Sequence, residues 1–435
     1  MGVMNTWQRL LLAVVCGVAV ASIYAAQPVL EPMGRDLGVP AELTGWIVAT
    51  GQIGYLAGLL LLVPLGDVVD TRRLIAVHLA VTAAGMIVTA SASSAWQAFV
   101  GLAAAGLFAV VVQTTVAYAA SASPPAERGR TIGVVTTGVV IGILGARIVT
   151  GALAEVWGWR SVYVVLAALS LALAALVLAV LPPETRTSPV AGYRQVIGSL
   201  GGLFGQRAFL THGLIAFFLF ASFGTLWSGL SLPLADAPWQ LNESQIGLFG
   251  IAGLAGALGA ARAGQWADAG RAAPVSGLAL ALLVLSWVAI AQLPWSLGLL
   301  IIGIVVLDFA VQVVHVSNQH VLTASHPDRV SSVIGGYMVF YSLGSALGAA
   351  TTTAVFTAYG WAGSSLLGAG FATCALVVSV VGRHAHQLGF RGPAEHVGGA
   401  ASGPSPRPRP EPEADIPLHE NRPSEGVRRP QEPRF

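Results

Sequence analysis

The amino-acid sequence predicts an all-α membrane protein with twelve transmembrane helices in two six-helix repeats and a disordered C-terminal tail. Of its residues, 55% are hydrophobic and 10% are charged, whereas soluble domains carry about 25% charged residues. Twelve apolar segments are each close to the roughly 20 residues that a helix needs to cross a bilayer. Matching charged motifs also recur about 200 residues apart, which indicates a duplicated unit.

The apolar segments fall into two groups of six. The first segment has the features of a signal peptide, but we expect it to remain as a helix, since cleavage would leave the first half one helix short. The segments of the first half are 10–29, 44–63, 74–92, 95–120, 131–154 and 160–181. Those of the second half are 209–233, 244–262, 273–293, 296–320, 332–357 and 362–382. The predicted domains are an N-terminal bundle (1–181), a central cytoplasmic loop (182–208), a C-terminal bundle (209–382) and a cytoplasmic tail (383–435).

Composition excludes some functions and leaves the role of the tail open. The net charge of +2 is too small to indicate a nucleic-acid-binding protein. The two cysteines, Cys16 and Cys374, lie in apolar segments, so we expect two small core residues and predict neither a disulfide, a metal site nor a cofactor. Residues 383–435 are rich in Pro, Arg and Glu, which predicts disorder; this tail is either a solvated end or a partner-binding segment.

The distribution of arginine predicts the orientation of the chain. If both termini are cytoplasmic, eleven arginines fall in the inner loops and only Arg35 and Arg160 fall in the outer loops. Cytoplasmic loops of membrane proteins carry an excess of positive charge. We therefore predict a multi-pass protein of the plasma membrane with both termini in the cytoplasm.

The first half contains one arginine, Arg147, inside the apolar run 131–154. A guanidinium that faces lipid costs at least about 2.5–3.5 kcal/mol. We therefore expect Arg147 to face protein or a water-filled cavity, with a counter-charge nearby. Small residues in the same run let another helix approach closely; they are Gly133, Gly138, Gly142, Gly145 and Gly151.

In the second half, one helix carries a polar stripe formed by Asp308, Gln312, His315 and Gln319 at i, i+4, i+7 and i+11. Such a stripe either lines a cavity or makes hydrogen bonds between helices. Asp308 is the one carboxylate well inside a predicted helix, near mid-membrane. Our hypothesis is that Arg147 and Asp308 neutralise each other in one state, directly or through water. Protonation of Asp308 or of His315 would then release the pair.

The charged loops of the two halves correspond to each other. PLGDVVDTRR follows the second segment and GQWADAGR follows the eighth, which places Asp67 and Asp268 201 residues apart. Two further pairs have offsets of 201 and 202, namely Arg128 with Arg329 and Gly158 with Gly360. A duplicated unit of this kind places the substrate site near the membrane midplane, between the halves.

Residues 8–382 resemble the major facilitator superfamily, whose loop motif after the second helix is G-x-L-[AG]-D-x-x-G-R-[RK]. This motif is matched at Leu65, Gly66, Asp67 and Arg72, whereas Val63, Asp70 and Thr71 depart from it. The resemblance implies a gating latch that holds one conformation; the alternative is that these charges only set the topology. The residues carried over to that latch are Gly66, Asp67, Arg72, Arg73, Arg128, Asp268, Arg271 and Arg329.

Residues 133–151 are similar to the antiporter motif of drug-exporting members, G-x8-G-x3-G-P-x2-G-G, and the chain looks like a bacterial efflux-permease-like branch of drug/sugar efflux type. The motif is matched at Gly133, Gly142 and Gly151. Ala146, Arg147 and Thr150 stand where it has Gly, Pro and Gly, and the usual arginine of the fourth helix is missing. In this fold helices 1, 4, 7 and 10 line the pore. The resemblance therefore implies cavity residues Tyr24, Gln27, Gln113, Phe220, Phe223, Trp227, Gln312 and Gln319. The aromatic stripe of Phe220, Phe223 and Trp227 at i, i+3 and i+7 either lines the cavity or packs against other helices or lipid.

These observations favour a secondary transporter, acting as a monomer, that exports a small apolar or aromatic molecule in exchange for protons. An uncoupled facilitator or importer is the alternative within this fold. A membrane sensor that signals through its tail is the alternative from another class, and deletion of residues 388–435 separates it from a transporter. The sequence contains no Walker-type loop, H-E-x-x-H or G-x-S-x-G motif, so we do not expect an enzyme.

Overall fold

The computed structural model describes residues 4–67, 69–124, 127–182, 201–259, 272–326 and 330–389. The part from Met1 to Gly389 forms one compact unit. Its helices are α1 (Thr6–Tyr24), α2 (Leu30–Asp36), α3 (Gly45–Leu61), α4 (Thr71–Ala90), α5 (Ala95–Phe108), α6 (Val111–Ser121), α7 (Arg128–Trp157), α8 (Trp159–Val180), α9 (Arg207–Gly229), α10 (Ser231–Ala235), α11 (Glu243–Gly259), α12 (Ala272–Ile290), α13 (Leu297–Ser325) and α14 (Val330–Gly389).

Most of these helices are suited to a bilayer. Within the described residues, nine are long and apolar enough to cross a membrane, and Glu243–Leu258 and Pro274–Ile290 are shorter apolar helices. One of the nine, Val333–Arg383, is interrupted at Gly360. Tryptophans near helix ends are exposed, as in the aromatic belts of membrane proteins; they are Trp7, Trp96, Trp157 and Trp295. The fold is thus all-helical and membrane-spanning, whereas the count of twelve helices stays a prediction.

Several helix boundaries differ from those predicted. Helix α1 begins at Thr6 rather than at residue 10, because Asn5 and Gln8 form a capping box. It ends at Tyr24, so Gln27 lies in the connection to α2 and not in a helix. The predicted segment 95–120 is divided into α5 and α6. The last helix extends to Gly389, beyond the predicted start of the tail at residue 383.

The turns at Gly158 and Gly360 have the same unusual backbone conformation. Their φ angles are +77° and +63°, in the region that favours glycine. Gly158 separates α7 from α8, and Gly360 divides α14. The tryptophan that follows each glycine, Trp159 or Trp361, is buried and donates a hydrogen bond from its indole. The predicted correspondence between these two positions therefore extends to their geometry.

Glycines allow α7 to pack directly on α1. A methyl group added at Gly138 would lie 2.1 Å from the Ala13 carbonyl oxygen, and one at Gly142 would lie 2.4 Å from the Gly17 carbonyl oxygen. The prediction of close helix approach is confirmed at these two positions and at Gly151, where a methyl group would lie 2.3 Å from the Glu243 carbonyl oxygen of α11. Among the described residues, no atom lies within 4 Å of such a methyl group at Gly133, and at Gly145 the nearest atom is 3.9 Å away. The prediction is wrong there, because these two glycines lie on faces of α7 that no neighbouring helix approaches closely.

The prediction that both cysteines are small core residues is confirmed for one of them and wrong for the other. Cys16 is buried, but Cys374 is exposed because it lies on the outer face of the last helix. The segments predicted to hold the central loop and most of the tail, 183–200 and 390–435, lie outside the described residues.

Candidate functional site

Arg147 lies at the centre of the bundle, where α7 faces the second half. Its side chain is only 2% exposed. Its Nη2 donates a 2.8 Å hydrogen bond to Gln27 Oε1, and its Nη1 donates one of 3.1 Å to the Ile143 carbonyl. The guanidinium stacks on the Trp227 ring, with 3.8 Å from Cζ to the ring centroid. The prediction that Arg147 faces protein is confirmed.

Helix α11 brings α7 and α13 together through a stripe of glycines at every third position. A methyl group at Gly247 would lie 2.6 Å from the Arg147 carbonyl oxygen, and one at Gly256 would lie 2.3 Å from the Val305 carbonyl oxygen. One at Gly253 would lie 2.8 Å from Trp227 Cζ2 and 3.2 Å from Asp308 Oδ2. Because glycine has no side chain, α7 with Arg147 and α13 with Asp308 can approach α11 closely from either side.

Asp308 is 1% exposed and lies beside Trp227, close to Arg147. The two charges are near enough to interact, but they are not within the 4.0 Å of an ion pair, so direct pairing is not the arrangement in this structure. Among the described residues, neither Asp308 Oδ2 nor the Trp227 indole nitrogen makes a well-formed hydrogen bond, although the indole lies beside the Asp308 carboxylate. A buried carboxylate that lacks partners is costly in its charged form.

A small cavity lies next to Arg147, between the two halves. Its volume is about 10 Å³, close to the space of one water molecule. It is lined by Gln27, Pro28, Arg147, Trp227, Leu230, Ser231 and Ile246.

The polar stripe of α13 has an upper part at Asp308 and a lower part, nearer the C-terminus of the helix, at His315 and Gln319. The lower part forms a separate cluster. His315 Nδ1 lies 3.1 Å from the Tyr337 hydroxyl, and His315 Nε2 lies 3.2 Å from Gln319 Nε2. The Phe220 ring packs edge-on against the imidazole, with centroids 5.2 Å apart. Gln312 is half-buried between this cluster and Asp308 on the same helix. The stripe thus divides into an acidic upper part and a neutral lower part with hydrogen-bond partners.

Tyrosines link the two halves near the same centre. The Tyr24 and Tyr341 hydroxyls form a hydrogen bond, and Gln52 lies beside the Tyr24 hydroxyl. Gln113, predicted to line the cavity, donates a 2.8 Å hydrogen bond to the Tyr55 hydroxyl. Gln52, Tyr55 and Tyr341 were not predicted as site residues. A Gln-x-x-Tyr pair in an apolar helix was the available signal for the first two.

The aromatic stripe of α9 faces the interior of the bundle. Phe220, Phe223 and Trp227 are each at most 5% exposed, so they do not face lipid. Phe223 contacts the Arg147 guanidinium, at 5.7 Å from Cζ to the ring centroid. The stripe therefore forms the apolar wall beside the buried charges.

The two halves are also held together at the end of the bundle where α1 ends and α3 begins, which we call the distal end. Gln27 Nε2 donates to Ser228 Oγ at 3.4 Å, and Gly45 N donates to Thr353 Oγ1 at 3.1 Å. Asn242 Nδ2 donates to Glu155 Oε1 at 2.9 Å. A methyl group at Gly151 would lie 2.3 Å from the carbonyl oxygen of Glu243. The structure is thus a conformation in which the distal end is closed.

An exposed ion pair on the first half braces the same end. Arg160 donates to the Asp36 carboxylate, as does the Trp159 indole at 3.1 Å. These two donors hold the pKa of Asp36 below its usual value, Arg160 contributing most.

The predicted gating loops are described only in part. Asp70 caps α4 by accepting a hydrogen bond from Arg73 N at 3.0 Å, and Arg72 donates to the Leu178 carbonyl. Arg9, counted among the inner-loop arginines, lies instead inside α1, where it is buried and paired with Glu127. The side chains of Asp67 and Arg128, and residues Asp268, Arg271 and Arg329, lie outside the described part of the chain. Gly66 lies in the short 3-10 turn Val63–Asp67.

Comparison with known proteins agrees with this architecture. The family model of the Major Facilitator Superfamily matches residues 11–306. "Putative uncharacterized transporter YgaY" of Escherichia coli K12 is 41% identical over 375 residues, which covers 86% of this chain and 95% of that protein. "Probable transporter SCO4007" of Streptomyces coelicolor is 31% identical over 361 residues, covering 81% and 82%.

Solved structures show the same fold at low identity. A bacterial homologue of the human lysosomal transporter Spinster, crystallised in an inward-facing and unoccupied conformation, superimposes with a TM-score of 0.73. The match covers 89% of this chain and 99% of that protein at 15% identity, so the likeness is one of fold.

Proposed function

The chain belongs to the major facilitator superfamily and is a membrane transporter, and from that premise we propose that it moves a small organic molecule across the bacterial plasma membrane by alternating access, coupled to protons in the direction of efflux. The proposal includes twelve membrane helices in two repeats and cytoplasmic termini. One copy of the chain supplies every residue of the site, so the transporter is a monomer in this proposal.

One observation carries the proposal: a buried arginine and a buried aspartate lie on opposite halves, close together but unpaired. Arg147 is on α7 and Asp308 is on α13. The two halves must move relative to each other in alternating access. A charge interaction that spans the halves therefore changes with the conformation, and protonation of one member changes which conformation is favoured.

In this proposal Asp308 carries the proton. When charged, it is attracted to Arg147 and draws the halves together at the centre. When protonated, it no longer balances Arg147, and the pair separates at lower cost. His315 is the alternative proton carrier, and the pH dependence of transport in a His315 variant decides between the two. The aromatic wall of α9, with Tyr24, Gln27, Gln113, Gln312 and Gln319, contacts the cargo.

The direct test is transport by the purified full chain in liposomes with an imposed pH gradient and an internal pH dye. A panel of lipophilic cations, neutral aromatics, organic acids, sugars and amino acids is added to the wild type and to Asp308→Asn. We expect one class to move protons in the wild type and not in the variant. Proton movement that Asp308→Asn leaves unchanged would contradict the assignment. Cargo flux without a proton signal would favour the uncoupled facilitator.

The tail provides the test against a sensor. A chain that ends at Gly389 retains every helix that the structure describes. We expect this truncated chain to keep the flux of the full chain within about twofold. Loss of a signalling output with no flux in either protein would instead favour the sensor.

A further inference from the structure

The cavity beside Arg147 is surrounded by buried hydrogen-bond donors that make no hydrogen bond to the part of the chain that the structure describes. These are Arg147 Nε, the Trp227 indole nitrogen and the Ser231 hydroxyl. Each of the three residues is at most 4% exposed. Buried donors in native proteins are almost always paired with an acceptor. Three unpaired donors around one cavity therefore indicate that an acceptor from outside the protein occupies it.

The charge around the cavity indicates what kind of acceptor that is. Among the residues that the structure describes, no carboxylate lies within 4.0 Å of the Arg147 guanidinium. Gln27 contributes only its neutral carbonyl oxygen. A water molecule would satisfy the donors but would add no negative charge beside Arg147, whose attraction to Asp308 acts from beyond 4.0 Å and ends when Asp308 is protonated. An anion satisfies the donors and the charge together.

We propose that Arg147, Trp227, Ser231 and Gln27 form a binding site for one monovalent anion, either the carboxylate of an organic molecule or a halide. For an organic anion, the apolar body packs on the aromatic wall formed by Phe220 and Phe223. The anion site itself does not depend on the proposed function. Only the identification of an organic anion as the transported molecule rests on it.

A monovalent anion fits this cavity better than a divalent one. The cavity has about 10 Å³ of free space, so only the head of a molecule enters without movement of the walls. Arg147 is the one cation among the residues that line it. A second negative charge in the same buried place would have no partner.

Asp308 has a defined effect on this site. Its carboxylate lies beside Trp227, so in its charged form it repels an anion at the cavity. Asp308→Asn removes that repulsion and keeps the shape of the side chain. The site therefore predicts opposite effects for the two buried charges: loss of Arg147 weakens anion binding and loss of the Asp308 charge strengthens it.

The experiment is equilibrium binding of radiolabelled benzoate and of radiolabelled chloride to the detergent-purified full chain. Benzamide and benzylamine, which share the ring but are neutral or cationic, serve as competitors. The variants are Arg147→Gln, Trp227→Phe, Ser231→Ala and Asp308→Asn. The control is Tyr359→Phe, because this residue is 76% exposed and does not line the cavity. Trp227→Phe removes the N–H donor together with the five-membered ring, so its effect includes some loss of stacking on Arg147, whereas Ser231→Ala removes only a hydroxyl. Size-exclusion profiles and melting curves establish that each variant is folded.

We expect Arg147→Gln to weaken anion binding at least about tenfold, and Trp227→Phe and Ser231→Ala to weaken it about twofold to tenfold. Asp308→Asn should bind more tightly than the wild type, and benzamide and benzylamine should not compete. If Arg147→Gln does not fold, the two single-donor variants decide the question. Benzamide competition equal to that of benzoate, or unchanged affinity in the donor variants, would overturn the site.

The two sources of the anion give different results. Benzoate binding that chloride displaces supports a site for organic carboxylates. Chloride binding that benzoate does not displace supports a halide site and excludes an organic anion as its ligand. Anion binding without any flux in liposomes would remove the proposed transport function and leave the site. Flux that shows no preference for anions, together with no anion binding, would remove the proposed anion site and leave the proposed transport function.

Discussion

Two polar regions of α13 differ in how completely the protein satisfies them. In the upper region, Asp308 and its neighbours Trp227 and Arg147 are buried, and each has a polar atom without a partner. In the lower region, both ring nitrogens of His315 have partners. The two regions lie two helical turns apart on one helix.

The difference separates a structural polar cluster from a functional one. A neutral network in which every group is hydrogen-bonded stabilises one packing arrangement of the helices. Nothing in such a network favours a second conformation. Buried charges without partners are unfavourable in any one conformation, so they are retained where a proton, a ligand or another conformation satisfies them. We therefore expect function to depend on the upper region and stability to depend on the lower one.

The largest effect should come from disturbing the upper region without altering a charge. In Gly253→Ala, the added methyl group would lie 2.8 Å from Trp227 Cζ2, which forces the indole or α11 to move. We expect transport to fall at least tenfold and the free energy of unfolding to fall by about 1–3 kcal/mol. The control is Gly370→Ala, because no atom lies within 4 Å of a methyl group at that position. Equal effects of the two substitutions would show that the packing of α11 does not support the site.

A smaller effect is expected from the contact between the halves. Tyr341→Phe removes the hydrogen bond to Tyr24 and keeps the ring that packs on Phe220. A neutral hydrogen bond contributes about 0.5–1.5 kcal/mol, so the distal end should open about twofold to tenfold more often. The measurement is the rate at which a maleimide labels Ser244→Cys at that end, in a Cys374→Ser background. Tyr359→Phe is the matched control, and an unchanged labelling rate in Tyr341→Phe would mean that this bond does not stabilise the closed distal end.

The lower region provides the contrasting prediction. With the Gln319 amide as placed, His315 Nε2 accepts its N–H and His315 Nδ1 donates to Tyr337, so the ring is neutral. We expect His315→Gln to lower the free energy of unfolding by about 1 kcal/mol and to leave the pH dependence of transport unchanged. Transport assays across pH 5.5–8.5 and denaturation curves test this. A shift of the pH midpoint would transfer the proton-carrying role from Asp308 to His315.

The sequence could predict the charged residues of the site because charged residues stand out in apolar segments. A single arginine and a single carboxylate inside apolar helices are rare, so Arg147 and Asp308 are visible without a structure. The partner Gln27 was predicted as a pore residue, but it was assigned to a helix that ends three residues earlier. Helix ends depend on local capping and packing, which hydropathy does not resolve.

Contacts between halves could not be predicted in the same way. The Tyr24–Tyr341 bond depends on the rotation and height of two helices from different halves, and hydropathy contains no such register. The glycines of α11 gave a signal that went unused, since they recur at every third residue from Gly247 to Gly259. Such spacing winds around α11 and indicates that helices approach more than one of its faces, although it does not identify them.

The smallest effect is expected from a charge pair outside the membrane, which sharpens the contrast with the buried charges. Asp36 is exposed and its pKa is lowered, chiefly by Arg160. A carboxylate with a lowered pKa contributes stability above its unfolded pKa of 3.8 and loses it as the pH falls through the lower, folded value. Asp36→Asn should therefore reduce the melting temperature slightly at pH 7, less in 1 M salt, and not at all near pH 2. A difference that persists at pH 2 would show that Asp36 acts through its hydrogen bond to Trp159 and not through its charge, because only the charge is lost on protonation.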